Sequence, residues 1–325
     1  MQSFSDIEKA DSVELVKSSN EAQGAGADDL SQYALTSESG IMATEWSVII
    51  LTLTAVIQFV VVSLSGSMAL LGDSIHNFSD ALSALPLWLA FFLQKLQPDK
   101  RFSHGFGRFE DLAGIFIVAS IILSGLVVGF ESIMRLFHPE KVLYLPAVLI
   151  AAFIGFLGNE AVAMFRLKIG KEIGSAALVA DGYHARLDGL TSLSVMVGCL
   201  GVWLGYPQTD SLVGLFMSAL TLWAGWELAG TIVKRLVDEV DPQLLKVIGE
   251  TALKQPGIRG IESVKARYSG HRLRAEIVVS VDGGLSVENA QKTADGLRAG
   301  LTGSMPVIEH VSIELVAQDL LDAKA

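Results

Sequence analysis

The chain reads as long apolar blocks broken by short polar intervals, unlike the strict alternation of a half-buried sheet or the single stripe of a surface helix. Six blocks stand out, at about 44–66, 68–94, 110–136, 142–165, 173–204 and 210–232. Each comes close to the roughly 20 residues that a helix rising about 1.5 Å per residue needs to cross a hydrocarbon core of about 30 Å. The pattern predicts a six-helix transmembrane bundle over 44–235. Ahead of it, residues 1–43 are polar and acidic. Up to residue 42 they hold eight acids against Lys9 and Lys17, with too little apolar surface to offset the entropy of ordering the chain. A disordered acidic tail is expected there, and the stretch lacks the basic region and short apolar core of a cleaved secretory signal.

From residue 236 the pattern changes to that of a water-soluble fold. A helix runs from Pro242 to about Gln255 and a turn covers Gly257 to Gly260. Two strand-like runs, Ile261–Tyr268 and Leu273–Asp282, flank Ser269-Gly270-His271 as a hairpin. Ser286 caps a second helix to about Leu301, Gly303 stops it, and alternation over Val307–Val316 marks a last strand. The order α-β-β-α-β over 236–317 describes a small α+β domain of ferredoxin-like or metallochaperone-like type, followed by a short tail, 318–325.

Charge adds an orientation. Lys95, Lys100, Arg101 and Arg108 follow the second block, Arg166, Lys168 and Lys171 the fourth, and Lys234 and Arg235 the sixth, whereas the opposite side holds Arg135 and Lys141. Basic residues stay on the cytoplasmic side, so a multi-pass protein with both termini in the cytoplasm is expected, in the cell (inner) membrane if the source is bacterial. A composition 51% hydrophobic with a mean hydropathy of +0.48 agrees with the lipid bilayer as its surroundings. The net charge of −11 offers no basic stripe for nucleic acid. The one cysteine, Cys199, lies within an apolar block, which excludes an internal disulfide and a thiolate zinc knuckle. A bound metal would need His and carboxylate ligands.

Such ligands recur at one spacing. The second block contains Asp73-x-x-His76-x-x-x-Asp80 and the fifth contains Asp181-x-x-His184-x-x-x-Asp188, each followed by x-Leu-x-x-Leu. Residues four apart share a helix face, so each His-x-x-x-Asp presents one imidazole and one carboxylate to the same point. Two such helices supply four ligands, a set that suits tetrahedral Zn²⁺. A single polar pair in a transmembrane helix could equally serve as an interhelical hydrogen bond. The repetition, deep in two apolar blocks, favours an ion whose two charges cancel two carboxylates. Asp73 and Asp181 either orient the imidazoles as hydrogen-bond acceptors or line a water-filled cavity. Arg186 points away from the His184 face, toward a carboxylate on another helix or toward water. Asn159 and Glu160 read as helix-packing contacts more readily than as part of an ion path.

At these residues the chain resembles the cation diffusion facilitators. The matching motifs are Gly-Asp-Ser-Ile-His-Asn-Phe-Ser-Asp (72–80), His-Gly-Phe-Gly-Arg-Phe-Glu-Asp (104–111) and Ala-Asp-Gly-Tyr-His-Ala-Arg-Leu-Asp (180–188), within a resemblance that extends over about 44–317. It implies a homodimer that exports a divalent metal in exchange for protons. His76, Asp80, His184 and Asp188 would be the ligands between the second and fifth helices. His at position 76 leans toward zinc, with cobalt, cadmium and iron as related substrates. It further implies an ion-pair interlock at the dimer base between Arg108 and Asp238. No cofactor beyond the transported metal is expected.

Two departures weaken any accessory metal site. The loop after the second helix offers only Asp99 and His104, with Phe102 and Phe106 where histidine can occur. The C-terminal domain has Val278, Gln291 and Glu314 at such positions. His104, His138, His271 and His310 are expected to be surface histidines, and the domain to serve dimerisation. Two other classes compete with transport. An intramembrane metalloenzyme would need an open coordination position and a general base, but no His-Glu-x-x-His occurs and four protein ligands leave no place for water, so no enzymatic activity is expected. A sensor or scaffold that binds metal without moving it would use the same ligands.

Overall fold

The structure, a computed structural model, describes residues 29–65, 80–81, 84–137, 145–206 and 208–318. Two compact units emerge, one spanning Ala34–Ile232 and one that includes Val233 onward. The first is helical: α1 (Asp29–Ser65), α2 (Leu85–Gln94), α3 (Arg108–Phe137), α4 (Leu145–Ile173), α5 (Ala176–Trp203) and α6 (Thr209–Leu236), the last continuing into the second unit.

Four of the described helices are long and apolar enough to cross a membrane, over Ser37–Val60, Arg108–Phe137, Val148–Ile173 and Thr209–Leu236. α5 has the length, but its apolar residues are interrupted by Asp181, Arg186 and Asp188. Most of the second expected span, including Asp73 and His76, lies outside the described residues. Residues 29–43, within the stretch expected to be an acidic tail, are helical. Ser37 and Ala43 there are buried, and two side-chain contacts hold Glu38 and the following Glu45 of α1 to α2 and the residue after it. Lys95 Nζ donates to Glu38 Oε1 at 3.0 Å and Trp88 Nε1 to Glu45 Oε1 at 3.1 Å. Residues 1–28 lie outside the description.

Burial in this unit runs opposite to that of a water-soluble bundle. Leu53, Leu123, Phe130, Phe216 and Trp226 face outward, while Gln58, Ser132, Asn159, Ser218 and Thr221 are buried. Lipid can cover the outward set. The inward polar groups find partners within the bundle, as hydrocarbon demands: Gln58 Nε2 donates to the Ala151 carbonyl at 3.1 Å and Ser218 Oγ to the Gly125 carbonyl at 2.7 Å. Small residues set the helix spacing. A Cβ on Gly129 of α3 would meet Ser218 of α6, and one on Gly182 of α5 would lie 2.8 Å from the Leu167 side chain of α4.

The helix ends sort to two sides. Glu38 meets Lys95, Gln94 meets Glu110, Glu110 meets Ser175, and Gly114 packs on Ile232. The starts of α1, α3 and α5 therefore lie with the ends of α2, α4 and α6. At the other side Arg135 of α3 pairs with Asp210 of α6 at 3.4 Å.

The second unit contains α7 (Pro242–Leu253), β1 (Ile258–Ser269), β2 (Arg272–Val281), α8 (Val287–Ser304) and β3 (Ile308–Ala317). Asp241 caps α7 by accepting from Gln243 N at 2.8 Å, and Ser286 caps α8 by accepting from Asn289 N at 3.3 Å. The sheet order is β1-β2-β3, with β1 antiparallel and β3 parallel to β2. Leu273, Ala275, Ile277 and Val279 alternate along β2 onto one face, where Leu244, Ile248, Leu297 and Leu301 cover them. The hairpin turns at Gly270, whose φ of 64° is one that side chains rarely adopt. His271 beside it is buried, contrary to the expectation of a surface histidine. Packing around the hairpin end decides this, and a turn-type tripeptide carries no signal of it. His104 and His310 are exposed, and His138 lies outside the described residues.

Candidate metal centre

α5 positions the chemistry. Its first turn is held by Ser175, whose Oγ accepts from Leu178 N at 3.1 Å, after a turn in which Gly174 takes φ 71°. From there one helix carries Asp181, His184, Arg186 and Asp188 in two turns. His184 and Asp188 share a face: Nε2 of the imidazole lies 3.3 Å from Asp188 Oδ2, as the i, i+4 spacing requires. Asp80, from the second apolar segment, joins them. One ligand atom from each of Asp80, His184 and Asp188 falls within 4.8 Å of the others, and the residues are only 9%, 5% and 6% exposed.

Two buried carboxylates so close repel each other and are costly without a counter-charge. A dication offsets both at once, and carboxylate oxygens with an imidazole nitrogen form a suitable donor set for zinc and its neighbours. Of the four ligands expected, three converge, and His76 falls outside the described residues together with Asp73.

Asp181 has a partner on α4, where Arg166 Nη1 lies 3.0 Å from its Oδ2 with both side chains almost wholly buried. Arg166 is thus no loop cation facing water, as its place after the fourth apolar block implied. It sits inside the bundle, where burial of one charge calls for the other. A signal was present: Arg166 and Asp181 lie at nearly equal distances along the chain on either side of Gly174, so an antiparallel helix pair brings them level. The same geometry pairs Arg186 with Glu160, at 2.7 and 3.2 Å, so of the two alternatives expected, a carboxylate on another helix or water, the structure shows the first. Asn159 Nδ2 donates to the Gly155 carbonyl at 3.2 Å within α4.

Glu110, in the second recognised motif, was given no role by the sequence. It is 1% exposed and accepts from Gln94 Nε2 at 2.8 Å and from Ser175 Oγ at 2.6 Å. Arg108 lies 3.4 Å from Asp111 one turn on, and Asp238 stands at φ 63° after α6.

An apolar bundle with outward hydrophobic faces, buried carboxylates around an imidazole and an appended α+β domain defines an integral membrane protein of the metal-handling kind. Its sequence matches the cation efflux transmembrane domain over residues 46–237 and the cytoplasmic domain of cation efflux proteins over 240–315. The chain belongs to the cation diffusion facilitator family.

Among its relatives is the Mycobacterium tuberculosis protein named "Probable cation efflux system protein Rv2025c", 43% identical over 86% of this chain and 84% of that protein. Magnetosome protein MamB of Paramagnetospirillum magneticum is 25% identical over 75% of this chain and 82% of its own length. Metal tolerance protein 2 of Oryza sativa subsp. japonica is 27% identical over 81% and 74%. Among solved structures, a manganese form of a point variant of the MamM C-terminal domain is 29% identical, with a TM-score of 0.23, and the match covers 23% of this chain and 96% of that one.

Proposed function

We propose that this protein is a proton-coupled antiporter that exports a divalent transition metal, zinc foremost, from the cytoplasm. The observation that carries the reading is the convergence of Asp80, His184 and Asp188 inside an apolar bundle. His76 stands four residues before Asp80, as His184 stands before Asp188, and completes a tetrahedral set of two imidazoles and two carboxylates. The metal is substrate here, so the site must bind and release it. Ligation requires neutral imidazole and ionised carboxylate, which makes protons the competitor that expels the ion.

In this reading six spans cross the membrane and both termini lie in the cytoplasm, with the basic residues of the loops at that face. The protein is a homodimer through its C-terminal domain, and Arg108 and Asp238 form an ion pair at the base of the bundle. Asp73 and Asp181 support the two imidazoles from the neighbouring turn, Asp181 while bound to Arg166. The helices rock so that one ligand set faces each side in turn.

The test is zinc uptake into inside-out proteoliposomes with the lumen acidic. Uptake that stops when the proton gradient is collapsed supports antiport, and uptake indifferent to the gradient removes it. Stoichiometric zinc binding without flux would make the protein a sensor. Equal rates for zinc, cobalt, cadmium and iron would remove the zinc preference.

A further inference from the structure

Glu110 occupies a place that apolar packing does not account for. Its two carboxylate oxygens accept from two different helices: Gln94 at the end of α2 and Ser175, which caps α5. Ser175 is itself fully buried, and its Oγ accepts from Leu178 N while its hydroxyl donates to Glu110. α2 follows Asp80 in the same apolar segment, and α5 carries His184 and Asp188. One carboxylate on α3 therefore ties together the near ends of the two segments that supply the metal ligands. A buried carboxylate is costly to desolvate, and an apolar residue would join three packed helices at less cost. A joint made of charge-assisted hydrogen bonds can instead be broken and remade as a unit, because water can replace each donor when the helices part.

We infer that Glu110 is a positioning residue that latches the cytoplasmic end of the transport path. With the latch formed, α2 and α5 are held closed at that end, and its release lets cytoplasmic water and metal reach the ligands. The inference rests on the proposed export function for its purpose, but its test needs neither metal nor flux.

Cys199, the one cysteine, is buried toward the far end of α5. Two reporters on one helix follow: native Cys199, and Ala180→Cys in a Cys199→Ser background. Ala180 is fully buried, one turn before His184. Each is labelled with a water-soluble maleimide in the detergent-purified full chain. In Glu110→Ala, labelling at position 180 should rise at least about tenfold, the least expected for loss of two charge-assisted hydrogen bonds, while Cys199 stays protected. Ser175→Ala and Gln94→Ala each remove one donor, should raise labelling in the same direction, and serve alone if Glu110→Ala does not fold. Unchanged labelling at 180 in all three variants overturns the latch, and so does parallel exposure of Cys199, which would mean a general loosening of the bundle. If labelling rises at position 180 while zinc flux is absent in the parent protein, the latch survives and the export reading falls.

Discussion

At the scale of single residues, the chemistry follows from a few polar groups placed where solvent cannot help them. Asp188→Ala removes one carboxylate from the group with Asp80 and His184. Zinc affinity should fall by at least about 100-fold, since the loss of one charged ligand costs more than the 10–100-fold of an outer partner, as read by equilibrium competition with a zinc chelator. Asp188→Asn keeps the shape and loses the charge, and an affinity in this variant similar to that of the parent protein would remove the electrostatic argument. In the C-terminal domain, Glu309 bridges Arg272 at 3.0 Å and Arg274 at 3.2 Å. Burial alone would raise its carboxyl, but the hydrogen bonds and charges of Arg272 and then Arg274 outweigh burial and hold it below the ordinary glutamate range. Its stabilisation is therefore complete above that range and is lost as pH falls through the lowered value. Glu309→Gln should weaken β2–β3 by about 1–2 kcal/mol at neutral pH and flatten the acid dependence, as measured by hydrogen exchange of their amides in the full chain.

The element that most shapes the site is the antiparallel pair of α4 and α5. Glycines allow its close approach, and two ion pairs fix its register: Arg166 with Asp181 and Arg186 with Glu160. The pairs differ in burial. Arg166→Met leaves the Asp181 carboxylate buried without its counter-charge, which should cost about 3–5 kcal/mol. Arg166→Met with Asp181→Asn removes both charges and should recover much of that loss, as thermal denaturation in detergent would show. Non-recovery would mean that the two act separately. The half-exposed Arg186–Glu160 pair should contribute little to the same measurement. Packing gives a second check. A Cβ on Gly170 would lie 2.9 Å from the backbone nitrogen of Val179, and backbone cannot yield as a side-chain tip can. Gly170→Val should destabilise the pair by about 1–3 kcal/mol or more, and a neutral effect would show that the helices stand further apart.

For the whole molecule, the contacts gather the starts of α1, α3 and α5 with the ends of α2, α4 and α6, the side that, apart from the buried Arg166, carries most of the basic residues proposed to face the cytoplasm. Tags on both termini should therefore be protected in intact cells and cleaved only after permeabilisation. Cleavage of one tag in intact cells would mean an odd number of crossings.

What the sequence by itself determined is what local pattern can encode. The apolar blocks foretold the long helices, the run Leu273–Asp282 foretold β2 as one arm of a hairpin, Ser286 foretold a cap, and the His-x-x-x-Asp spacing foretold that His184 and Asp188 share a face. These depend on neighbours within a turn or two. Tertiary structure alone decided which polar groups meet across helices. It buried Arg166 against Asp181, turned Glu110 toward Gln94 and Ser175, and enclosed His271. Each of these depends on partners distant in the chain, and the free energy of a buried charge is set by its partner, which hydropathy along one helix does not specify.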